Sequence, residues 1–192
     1  MKTKILLIVL ALFVTTACSA EPPAAPATVT VTPPSSAPKA PAGPDAKTVA
    51  WLDGMCGAIY GYMKASNDYA SKQRSGTEVT RNALKEELGI RAGFAGKAVD
   101  ELTALPPSPI PGGDTVRKSL VDQYTAARDA ANTGKQRLEK SGNSAAMDAA
   151  IQAMDATQKP ITETPDLMPA LKIDTQDLMA AAAEAKKCAA PH

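Results

Sequence analysis

Sixteen prolines divide this 192-residue chain into what can fold and what cannot. Half of them fall between Pro22 and Pro44, in a run of Ala, Thr, Ser and Pro with little apolar surface to bury, and this composition predicts a disordered, extended tether over residues 18–45. At about 3.1 Å per residue for polyproline II, its roughly 27 residues would reach about 80 Å. Thr28-Val29-Thr30-Val31-Thr32 alternates like a strand, but the prolines on both sides favour the unstructured reading. The same Thr/Ser/Pro content suits O-glycosylation.

Beyond Asp45 the breaks become sparse and the apolar spacing turns helical. Leu52, Met55, Ile59 and Met63 recur three and four apart, which predicts a first helix from about Ala46 to Ser71. A second is expected from about Thr77 through Ala83, Ile90, Phe94, Ala98 and Leu102 to Leu105, stopped by the run Pro106 to Gly113. Asp114 is the expected N-cap of a third, which carries Val116, Leu120, Tyr124, Ala127, Ala131 and Leu138. Ser141-Gly142-Asn143-Ser144 breaks it, and a fourth carries Met147, Ile151 and Met154 until Pro160. After Thr164-Pro165 and Pro169, Asp174 is expected to cap a last helix running through Leu178 and Ala180 to Ala183 to Cys188. The fold reading is an all-α bundle of four or five helices over residues 46–192, with no fixed-period repeat.

The N-terminus says where such a domain would be held. Lys2 and Lys4, the apolar run Ile5 to Val14 and the small residues Thr15-Thr16-Ala17 make a secretory signal peptide over residues 1–17, too short to span about 30 Å of hydrocarbon. Thr15-Thr16-Ala17-Cys18 resembles the lipobox of bacterial lipoproteins, which implies that Cys18 receives a diacylglyceryl group and becomes the first mature residue. Two acyl chains would anchor the protein stably to the extracytoplasmic face of the cell membrane, where one chain binds only marginally. Ordinary cleavage after Ala20 is the alternative, and it would release a soluble protein.

The core is expected to be lean, because one Trp, four Tyr and, with the leader's Phe13 set aside, one Phe supply all its aromatic bulk. With Cys18 set aside, Cys56 and Cys188 are the only possible disulfide pair, and export would place them in an oxidising compartment. Closing a loop of over 100 residues is worth roughly 4 to 5 kcal/mol in the chain-entropy model. Trp51-Leu52-Asp53-Gly54-Met55-Cys56-Gly57, with a closing Lys186-Lys187-Cys188, is similar to small helical exported proteins and lipoproteins of actinobacterial type. That resemblance implies a disulfide-closed helical domain and no catalytic residues.

Gly54, Gly57 and Gly61 in the first helix, and Gly89, Gly93 and Gly96 in the second, each cost about 1 kcal/mol against alanine. They predict a close crossing of the two helices, a break at Gly89, or a groove beside Trp51, Tyr60 and Tyr62. Trp51, Tyr60, Tyr62 and Tyr69 are the candidate contact residues, each of which would alternatively complete the core.

Catalytic signals are nearly lacking. His192, the only histidine, is the terminal residue, a poor place for a positioned base. Ser36-Ala37-Pro38-Lys39 matches S-x-x-K of penicillin-recognising enzymes, but in the tether and without the companion motifs. Glu86-Glu87 and Asp100-Glu101 point in different directions on a helix, and the methionines sit at core spacing. No metal-ligand spacing or cofactor motif occurs, so neither metal nor cofactor is expected. Without Lys2 and Lys4 the 20 acidic side chains nearly balance the basic ones, and the basic pairs Arg117-Lys118 and Lys186-Lys187 make no patch for nucleic acid. The expected function is a noncatalytic, membrane-anchored envelope lipoprotein that binds a protein or wall component. A carrier of a small apolar ligand or lipid is the second reading, and an enzyme with a carboxylate or serine site the third.

Overall fold

The structure, a computed structural model, describes residues 43–72, 80–164 and 166–189. The leader, Cys18, the tether, the expected helix start at Thr77 and His192 lie outside them. The described residues contain no strand. They form α1 (Ala46–Lys72), α2 (Arg81–Thr103), α3 (Gly113–Lys140), α4 (Ser144–Thr162), the single-turn α5 (Leu167–Ala170), α6 (Gln176–Glu184) and a closing 3-10 turn at Lys186–Cys188. The domain is an all-α bundle in which α2 packs on α1, α3 and α4, α3 packs on α4, and α6 and the closing turn lie on α1.

Side-chain caps set most helix starts. The Asp45 carboxylate accepts from the Thr48 N–H at 3.0 Å and the Thr48 hydroxyl at 2.8 Å, and these bonds hold its carboxyl below the ordinary value. Thr80, Asn143 and Thr175 accept from Ala83, Ala146 and Leu178 N–H groups in the same way. Two expected caps are corrected. Gly112 precedes α3 with φ of +78°, a left-handed conformation that suits glycine, while the Asp114 carboxylate reaches back to the Ser108 N–H and pairs with Arg117 at 2.9 Å. Thr175 takes the place expected for Asp174, and the last helix stops at Glu184, short of Cys188.

Pro160 does not end α4, which runs on to Thr162. The proline removes one N–H from that turn, but its ring is buried, and the Tyr62 hydroxyl donates to Thr157 O in the same turn at 2.5 Å. The helix keeps its last turn because tertiary contacts offset the lost bond.

The main core joins Leu52, Met55 and Ile59 of α1 to Leu102, Leu120 and Tyr124, and is closed below by Leu167, Leu171 and Ala181. A second cluster, Leu84, Leu88, Ala131, Leu138, Ala150 and Ala153, fills the far end between α2, α3 and α4. Cys56 and Cys188 are bonded, with S–S 2.01 Å and Cα atoms 4.9 Å apart, so the end of the domain is fixed to α1. Beside the bond, the Lys187 N–H donates to Asp53 Oδ1 at 2.9 Å.

The glycines do not act as one seam. Helix α2 passes through Gly89 without a break. A Cβ at Gly54 would come within 2.5 Å of Leu105, and at Gly57 within 2.8 Å of Lys187, whereas Gly61 and Gly93 face open space. The tight helix crossing is at Gly134, where a Cβ would lie 2.7 Å from that of Ala153 and 3.4 Å from Ala150 Cα. Gly61→Ala is therefore expected to stabilise the domain by up to about 1 kcal/mol through helix propensity. Gly134→Ala is expected to destabilise it by about 1 to 3 kcal/mol through overpacking against backbone. Denaturant unfolding of the two variants checks the opposite signs.

Candidate functional site

Trp51 forms part of the wall of a mostly apolar cleft, although not as an exposed contact. Its side chain is 1% exposed, its indole N–H donates to Pro106 O at 3.2 Å, and its ring lies against Gly113. Burial follows from the prolines, which cannot continue α2 and instead fold the connection back over the start of α1. Arg117 donates to Leu105 O and Pro106 O, Ser108 Oγ accepts from the Ile110 N–H, and the Ile110 side chain is buried beneath. Arg117, noted in sequence only as half of a basic pair, is thus an anchor of this connection. Over it, Ala50, Pro106, Pro107 and Pro109 with Trp51 line a mostly apolar cleft of about 500 Å³, with Lys47 at its rim. Its walls are fixed by backbone rings and hydrogen bonds, so a ligand would meet a preformed surface.

The tyrosines separate by position. Tyr62 is 3% exposed and packs edge-on against Tyr124, ring centroids 4.9 Å apart, so it is core and not a contact residue. Tyr69 is half-buried against Phe94. Tyr60 is half-buried and reaches a cleft of about 290 Å³ between α1 and the corner joining α4 to α5. Sequence reading passed over Tyr124 as a functional residue. It is fully buried, and its hydroxyl and that of Ser66 meet no hydrogen-bond partner of ordinary geometry among the described residues. Burial pushes both tyrosine hydroxyls up in pKa; the neighbouring Thr164 hydroxyl, which donates to Pro160 O, opposes this at Tyr124, and Arg91 opposes it at Tyr62.

A third cleft, of about 450 Å³, runs along Gly54, Gly57 and Ala58 between α1 and α2, bordered by Lys97, Glu101 and Lys187. Each of these charges has a partner: Lys97 pairs with Glu101 at 3.7 Å and Lys187 with Asp53 at 3.7 Å. Of the acids noted in sequence, Glu87 binds the buried Arg91 through Nε at 3.0 Å and Nη2 at 2.7 Å, a structural role. Met147 and Met154 pack at the edge of the second core cluster, while Met179 is 52% exposed. Among the described residues, no group of three or more His, Cys, Asp or Glu could hold a metal ion, and no helix is long and apolar enough to cross a membrane. No protein-family model, curated protein or solved structure matches this chain.

Proposed function

We propose that this protein is a lipid-anchored, noncatalytic envelope protein whose helical domain captures a protein or wall component at the cleft over Trp51. The observation that carries the reading is that cleft: preformed by the proline connection and, apart from Lys47 at its rim, made of apolar side chains that offer packing. The anchoring half rests on the sequence of the leader and on Cys18.

The two halves are tested separately. Cys18→Ser is expected to move the protein from the detergent phase to the soluble or unprocessed fraction, and unchanged membrane partition would refute the anchor. Ala50→Glu places a charge in the cleft from an exposed helix position. It is expected to weaken capture of the partner that co-purifies from solubilised membranes by about tenfold or more, with melting near wild type. Turnover of a wall or lipid substrate by the purified domain, abolished at a single carboxylate or serine, would overturn the noncatalytic assignment. The carrier reading has its own support in the smaller cleft beside Tyr60, with Ile59 and Met63 in its wall.

A further inference from the structure

The cleft between α1 and the α4–α5 corner differs from the others in its charge. Ile59, Met63, Ile161 and Leu167 give it apolar walls, and Asp166 is the single charged residue among the described residues that line it. Asp166 Oδ1 accepts from the Met168 N–H at 3.1 Å, and the carboxylate has no ion-pair partner among the described residues. By contrast, the lysines bordering the glycine-lined cleft are neutralised by carboxylates. Tyr60 lines the same cleft as Asp166, and Ile161 and Thr164 form its side at the end of α4. A carboxylate without an ion-pair partner and a tyrosine both favour positive charge, while the walls favour an apolar body.

We propose that this cleft binds a small organic amine, its ammonium group at Asp166 beside the Tyr60 ring and its apolar body against Ile59, Met63, Ile161 and Leu167. The proposal rests on the ligand-carrier reading and names its ligand class. A volume of about 290 Å³ suits a compact amine and not a long-chain lipid.

The test titrates the full chain with three probes of one size by calorimetry: 2-phenylethylamine, 2-phenylethanol and 3-phenylpropanoate. The amine is expected to bind at least about tenfold tighter than the alcohol, and the anion weakest. Asp166→Asn removes the charge but keeps an efficient cap for α5, so it should bring amine and alcohol to equal affinity without lowering the melting temperature. Tyr60→Leu should weaken the amine several-fold and the alcohol less. An amine that binds no tighter than the alcohol, or a preference that survives Asp166→Asn, overturns the amine assignment while leaving the carrier reading standing. Failure of all three probes to bind at millimolar concentration overturns both.

Discussion

Replacing Cys56 and Cys188 together by alanine is expected to lower the melting temperature of the domain by about 10 to 20 °C. The bond joins residues 132 apart in sequence, and a loop of that length is worth roughly 4 to 5 kcal/mol in the chain-entropy model. For a domain of this size each kcal/mol corresponds to about 2 to 4 °C. The structure adds a local reason for a large effect. Helix α6 has nine residues, too few to persist alone, and the segment it belongs to is tied to α1 by the disulfide, by Asp53 at Lys187 and by a few side chains such as Ala181 and Ala185. Without the bond, α6 and the closing turn would detach first and expose the main core beside Leu52 and Cys56. Far-UV circular dichroism melts with and without a reductant check this. The wild type under reduction should follow the double variant, and a melting point within about 2 °C of the oxidised protein would show the bond to be dispensable.

The parts of this architecture that were legible in sequence are those set by neighbours along the chain. Three- and four-residue spacing located α1 to within a residue at each end, and the proline run placed the end of α2. What was misread depended on residues far away. Asp114 looked like a cap because caps are local, but the backbone turn at Gly112 put its carboxylate in reach of Ser108 and Arg117 instead. Pro160 looked like a stop, yet Tyr62, nearly 100 residues earlier, supports the turn it weakens. Six glycines drew attention through their spacing, while Gly134, far along α3 from that helix's other glycine at its first residue, Gly113, makes the close approach because Ala150 and Ala153 lie across from it. The groove expected beside Trp51 and Tyr60 was visible only from its α1 side: Tyr60, Ile161 and Asp166 share no motif and meet only when α1 packs against the α4–α5 corner.

Trp51 shows how such a distant contact decides a residue's role, and Trp51→Ala is expected to cost about 3 to 5 kcal/mol, or roughly 10 to 15 °C in melting temperature. The indole is 1% exposed and fills the space between α1, the proline connection and Gly113, so truncation leaves a cavity that the proline rings are too stiff to collapse into. Trp51→Phe keeps most of the packing but loses the bond to Pro106 O, and about 1 to 2 kcal/mol is expected. Guanidinium unfolding followed by circular dichroism measures both, because either substitution removes the only tryptophan available to fluorescence. Hydrogen exchange supplies the local readout. The Gly113 N–H, bonded to Ile110 O at 2.9 Å, should exchange faster in Trp51→Ala as the connection loosens, while amides in the far cluster near Leu88 and Leu138 should change only with global stability. A Trp51→Ala variant within about 1 kcal/mol of wild type would mean that the indole is a contact surface after all and that the connection is held by Arg117 and Ile110 alone.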